Sequence, residues 1–164
     1  MKFRAVIFDL DGTLLDTLGD LADSMKRVLE LNRLPQHPQE AYKYFVGDGI
    51  EMLVRRALPF QVASDRELQR FVKEMKNEYA QRWLHRTRPY AGIPEMLAAF
   101  AAAGAAMAVL SNKPDDASQA IVKALLPDVV FQVVLGATPP LSGDGAAPAG
   151  EKRRQPIPGL RGTN

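Results

Sequence analysis

The 164-residue sequence contains no cysteine and only two histidines. Without thiols there is neither a disulfide framework nor a Cys-ligated zinc centre, and His37 and His85 have no neighbour at metal-ligand spacing. Long apolar runs are lacking too. The longest, Met96 to Leu110, is broken by Gly104 and is shorter than the roughly 20 residues that span a bilayer. Met1 leads straight into a charged strand start, so no signal peptide is expected and a cytoplasmic protein is the default. A charge excess is also missing from the body. Residues 1–137 carry 17 Lys and Arg against 17 Asp and Glu, and the net charge of +2 arises wholly in the last 27 residues. A neutral body offers no electrostatic footprint for a nucleic-acid backbone. What is present, 46% hydrophobic and 24% charged residues, is ordinary for a soluble globular chain of one domain or a small core with an insertion.

The most informative stretch runs from Arg4 to Thr17. An apolar, β-branched run, Ala5-Val6-Ile7-Phe8, reads as one buried strand and ends abruptly in Asp9-Leu10-Asp11-Gly12-Thr13. Side chains two apart on a strand point the same way, so Asp9 and Asp11 can face one site. Gly12 omits a β-carbon where the backbone must turn or approach a ligand, and Thr13 adds a hydroxyl. The plainer reading is a strand followed by an Asx-rich turn.

Asp16 to Leu31 predicts an amphipathic helix, with Leu18, Leu21, Met25, Val28 and Leu29 on one side. Pro38 begins a short helical turn through Phe45. Val46-Gly47-Asp48-Gly49 then leads into Ile50, Leu53, Val54, Ala57 and Leu58 at helical spacing. Ser64, with Glu67 as its capping-box partner, starts a helix to about Leu84 whose apolar face holds Leu68, Phe71, Val72, Met75, Tyr79 and Trp83. Four helical segments without a strand between residues 16 and 88 imply a helical insertion in an α/β framework. Trp83, Met52, Met75 and Met96 read as core, and Arg55-Arg56 as a partly solvated helix face. Alternation resumes at Pro89. Ile93 to Ala103 reads as a helix ended by Gly104, Met107 to Leu110 as a short strand, Asp115 or Asp116 to Leu126 as a helix, and Val129 to Leu135 as another strand. Ser111-Asn112-Lys113 sits between strand and helix, on the same carboxyl edge as Asp9, where a hydroxyl and backbone amides can hold phosphate oxygens.

Asp9-x-Asp11-Gly12-Thr13 after a strand, with Ser111-Asn112-Lys113 after another, resembles the haloacid dehalogenase superfamily. Val46-Gly47-Asp48-Gly49 leading to Arg56-Ala57-Leu58, Arg88-Pro89-Tyr90-Ala91-Gly92-Ile93 and Leu110 to Pro114 sharpen the resemblance to its phosphoglycolate phosphatase branch, over residues 3 to about 137. The resemblance implies an α/β fold: a doubly wound, Rossmann-like parallel sheet at 1–15 and 89–137, incomplete at its C-terminal end, with an α-helical cap at 16–88. It also implies Mg²⁺-dependent hydrolysis of a small phosphorylated metabolite such as 2-phosphoglycolate. Asp9 would attack phosphorus and ligate the metal. Asp11 would protonate the leaving oxygen, then activate water, while its main-chain carbonyl ligates the metal. Ser111 would hold the phosphoryl group, supported by Gly12, Thr13, Asn112 and Lys113, and Gly47, Gly49 and Arg56 would recognise the substrate. No nucleic-acid or membrane partner is implied. The rivals are a sugar-phosphate mutase of the same superfamily and a catalytically inactive remnant or binding module. A dehalogenase is disfavoured, since it needs no second acid at position 11.

The resemblance stops near Gly136. The family continues with a lysine, a helix, a strand and a Gly-Asp-x-x-x-Asp motif that completes the metal site. Residues 138–164 instead hold five Pro and five Gly with no periodicity, a composition expected to be disordered and to be foreign sequence of the kind a frameshift or truncation leaves. Gly143-Asp144-Gly145 and Lys152 lack the setting of the family's motifs. Fewer metal ligands, an uncovered sheet and impaired activity are the expected consequences.

Overall fold

The computed structural model describes residues 3–59 and 64–138. The expectation of a disordered tail therefore lies, beyond Thr138, outside the described residues. The first strand, β1 (Ala5–Phe8), is followed by a two-residue strand β2 (Leu15–Asp16) and helix α1 (Leu18–Leu31). A 3₁₀ turn (Gln39–Ala41) leads into α2 (Tyr42–Phe45), then α3 (Ile50–Ala57) and α4 (Asp65–Arg82). After β3 (Arg88–Pro89) come α5 (Ile93–Ala102), β4 (Ala106–Pro114), α6 (Asp115–Leu125) and β5 (Val133–Ala137).

The sheet is parallel, in the order β1-β4-β5, with Phe8 level with Val109 and Val109 level with Val134. Alternation within the strands sorts its two faces. Val6, Phe8, Met107, Val109 and Val134 turn toward a cluster with Leu10, Leu14, Leu97, Ile121 and Val122. Ile7 points the other way and is 58% exposed, and Phe3, ahead of the strand, is exposed too.

The helices from α1 to α4 enclose a separate cluster built from Leu21, Met25, Leu29, Tyr42, Leu53, Phe71 and Met75. Their amphipathic faces supply it, and Ser64 caps α4 by accepting the Glu67 amide at 3.3 Å while its hydroxyl donates to the Glu67 carboxylate at 2.7 Å. Trp83 packs against both clusters.

Four sequence expectations shift. Residues 16–88 are not free of strand: β2 and β3 pair antiparallel, Leu15 with Pro89 and Asp16 with Arg88, so the two linkers join where they leave the sheet. Consequently α1 starts at Leu18 rather than Asp16. The last strand begins at Val133, not Val129, because Val129 is tied into a turn on the Leu126 carbonyl and the Gln132 amide donates to Met107 at 2.8 Å. At its other end β4 runs on to Pro114, which pairs with Ala137.

Candidate active site

Register between β1 and β4 puts their carboxyl ends at one edge of the sheet. Past Asp9 the chain folds into a tight turn. The amides of Leu14 and Leu15 both donate to the Leu10 carbonyl, at 3.1 and 3.0 Å, and the Gly12 amide donates to Leu15 at 2.9 Å. Gly12 adopts φ +77°, a conformation that a β-carbon disfavours. Thr13, like Gly12, is exposed, and both amides are engaged within the turn. Asp9 stands exposed at the strand end, its Oδ1 accepting the Leu10 amide at 2.8 Å.

β4 brings the second half of the site. The alternation that buries Met107 and Val109 also buries Ser111 and Lys113, while Asn112 faces out. Ser111 Oγ accepts the Lys113 amide at 3.2 Å. Lys113 Nζ lies 3.1 Å from Asp11 Oδ2 and 3.1 Å from the Tyr79 hydroxyl, 4.8 Å above the centre of the Tyr79 ring. Burial draws the Lys113 ammonium toward deprotonation, but the Asp11 carboxylate and Tyr79 outweigh it, and its pKa lies above that of an ordinary lysine. Burial likewise pushes the Tyr79 phenol up, partly offset by Lys113. The other carboxylate oxygen of Asp11, Oδ1, is buried with no hydrogen-bond partner among the described residues.

The helical side contributes the 46–49 loop. The Gly47 carbonyl accepts Asn112 Nδ2 at 2.8 Å, a direct bond between loop and sheet. Gly49 has φ +88°, and a β-carbon there would sit 3.7 Å from the Asn112 carbonyl. Arg56 reaches the same loop from behind, pairing with Asp48 at 2.5 Å and donating to the Phe45 carbonyl at 3.2 Å. A cavity of about 40 Å³ thus gathers Asp9, Asp11, Gly47, Gly49, Ser111, Asn112 and Lys113 under an apolar roof of Leu21, Val46, Ile50 and Leu53. Gly12, Thr13 and Arg56 stand outside its lining. Tyr79 went unnoticed in the sequence because it fits the apolar stripe of α4, and only its OH distinguishes it from the phenylalanine that the stripe would accept.

The family model of haloacid dehalogenase-like hydrolases matches residues 6–141, most of the chain. The chain belongs to that family. It is 32% identical over 141 residues to a phosphoglycolate phosphatase from Mannheimia succiniciproducens, covering 82% of this chain and 63% of that protein. An N-acetylmuramic acid 6-phosphate phosphatase from Pseudomonas aeruginosa is 33% identical over 125 residues, covering 76% and 55%. Among solved structures, a predicted phosphoglycolate phosphatase from Haemophilus somnus superposes with a TM-score of 0.76 at 31% identity, over 83% of this chain and 63% of that one. The chain thus spans less than two thirds of these relatives.

Family members of this kind imply a divalent cation. Among the described residues no three His, Asp or Glu side chains cluster as a metal cage. The oxygens that Asp9 and Asp11 bring to the cavity are hard donors. That set fits a cation such as Mg²⁺, which retains several waters when bound by few protein ligands. No described helix is long and apolar enough to cross a membrane.

Proposed function

We propose that this chain is a Mg²⁺-dependent phosphomonoester hydrolase of the phosphoglycolate phosphatase type, acting through an aspartyl-phosphate on Asp9, on a small phosphorylated metabolite in the cytoplasm. The observation that carries the reading is the unequal pair of carboxylates at one cavity. Asp9 is exposed and held by a single backbone amide. Asp11 has one oxygen on Lys113 and the other, Oδ1, buried without a partner. Two carboxylates in different surroundings suit two different roles.

In this mechanism Asp9 Oδ2 attacks phosphorus while the bond to the leaving oxygen breaks. Asp11 in its acid form gives a proton to that oxygen and, left as a carboxylate, accepts one from the water that cleaves the aspartyl-phosphate. Ser111 Oγ and Lys113 Nζ hold the phosphoryl oxygens, and Leu21, Val46, Ile50 and Leu53 cover the apolar side of the cavity. Asp9 and the Asp11 carbonyl would hold Mg²⁺, which would supply positive charge to offset the repulsion of a carboxylate nucleophile and a dianionic substrate. Gly47 and Gly49 shape the substrate side of the cavity, and Arg56 keeps their loop in place. With few protein oxygens to hold the cation among the described residues, weak Mg²⁺ binding and slow turnover belong to the proposal.

The experiment is turnover of an aryl phosphate and of 2-phosphoglycolate, with and without Mg²⁺, in the wild type and in Asp11→Asn. The substitution is expected to slow turnover by roughly 10²- to 10⁴-fold, as removal of a general acid–base group does. Unchanged rates in Asp11→Asn would overturn the role given to it.

A further inference from the structure

We infer that Tyr79 is a positioning residue that fixes the Lys113 ammonium in the cavity, a role that rests on the phosphatase reading above. Lys113 belongs to the sheet and Tyr79 to α4, on the helical side. Both are almost fully buried. A lysine stem has four freely turning bonds, so an ammonium at its end is placed only by what it touches. Among the described residues it touches two things: Asp11 Oδ2 at 3.1 Å, and Tyr79, through the hydroxyl at 3.1 Å and the ring face at 4.8 Å.

The donor count gives this arrangement a purpose. An ammonium has three N–H groups, and Asp11 and Tyr79 take two. The third is left for a phosphoryl oxygen in the cavity that Lys113 lines with Asp9 and Ser111. Without the phenol, Asp11 is the one fixed partner, and the ammonium is free to rotate its remaining donors away from the phosphate. Lys113 stands on β4 and Tyr79 on α4, so this contact ties the sheet to the helical side. Trp83, one turn beyond Tyr79, packs against both hydrophobic clusters at that same junction.

Tyr79→Phe keeps the ring and removes the hydroxyl. It is compared with Lys113→Met and with the double variant, using inorganic phosphate with Mg²⁺ in calorimetry. Lys113→Gln replaces Lys113→Met should the latter not fold. Alongside, the rate of reductive methylation at Lys113 is read by mass spectrometry in the ligand-free chain. Tyr79→Phe is expected to remain folded, to speed methylation of Lys113, and to weaken phosphate binding about three- to tenfold, as loss of one hydrogen bond does. In the Lys113→Met background it should change phosphate affinity no further, since Tyr79 acts through Lys113. Equal methylation rates in Tyr79→Phe and wild type would overturn the inference, as would effects of the two substitutions that simply multiply. Failure of the phosphatase reading looks different: no phosphate binding in the wild type, while Tyr79→Phe still speeds methylation.

Discussion

Replacing Asp20 by alanine should destabilise the chain more than any surface change, because this one carboxylate ties the two linkers between sheet and helices. Asp20 is 1% exposed. Its oxygens accept the Arg86 amide at 2.9 and 3.1 Å, the Thr87 amide at 2.9 Å and the Thr87 hydroxyl at 2.7 Å. Arg86 is exposed, so water can replace Asp20 on its amide. Thr87 is fully buried, so its amide and hydroxyl would be stranded. At about 1–3 kcal/mol for each of these two buried unsatisfied polar groups, Asp20→Ala should cost about 2–6 kcal/mol. With a urea slope of about 2 kcal/mol per molar, the unfolding midpoint falls by about 1–3 M. Asp20→Asn keeps one acceptor oxygen and the shape, and should lose less than half as much. Thr87→Val removes only the hydroxyl and should cost about 1 kcal/mol. By contrast the exposed Arg86–Asp23 ion pair nearby, 3.0 Å long, should contribute little. An Asp20→Ala midpoint within about 0.3 M of wild type, well inside one unsatisfied group's cost, would refute this account of the linker.

The Tyr42 hydroxyl is buried with no partner among the described residues, so Tyr42→Phe should leave thermal stability unchanged or raise it by about 1 kcal/mol in a thermal melt. Burial, helped by Asp23, pushes the Tyr42 phenol up to about 12. The folded state thus holds this proton more tightly than the unfolded chain. Its stabilising contribution is complete below pH 10 and fades as pH rises toward 12, by up to about 2–3 kcal/mol, and an alkaline denaturation series should lose that portion in Tyr42→Phe. Ser64→Ala removes the α4 cap and should cost about 1 kcal/mol in urea unfolding. Gly136→Ala would place a β-carbon 2.5 Å from Asp115 Cα and from the Lys113 carbonyl, so β5 must shift; a loss above about 2 kcal/mol is expected, with faster amide exchange in β5 as the readout.

Much of the site was legible in the sequence because its parts lie toward the carboxyl ends of strands. A buried run followed at once by Asp9 and Asp11, and another followed by Ser111 and Lys113, can hardly avoid one edge in a parallel sheet, and β1 and β4 do pair there. The start of α4 was legible for a local reason too, since Ser64 and Glu67 satisfy each other within four residues. What escaped depends on distant partners. Asp20 lies on the same helix as an apolar stripe and finds its donors 66 and 67 residues away. β2 and β3 are two residues each, too short for a period-2 pattern, and exist because each finds the other. Val129 to Phe131 looked like strand because they are apolar, yet the run turns across the edge of the core, with Val130 exposed, before β5 begins. The bonds of Arg56 to Asp48 and to the Tyr44 and Phe45 carbonyls are likewise contacts that a sequence pattern does not display.

The claim that Asp9 is the nucleophile of a phosphomonoester hydrolase is tested most directly by kcat/KM on 2-phosphoglycolate, with and without Mg²⁺, for the wild type and Asp9→Asn prepared side by side. The expected result is Mg²⁺-dependent hydrolysis in the wild type, below the roughly 10⁴ M⁻¹s⁻¹ that marks the lower end for working enzymes, and none in Asp9→Asn, whose amide is a far poorer nucleophile. Equal rates in the two proteins, or a wild type with no Mg²⁺-dependent turnover at all, would contradict it.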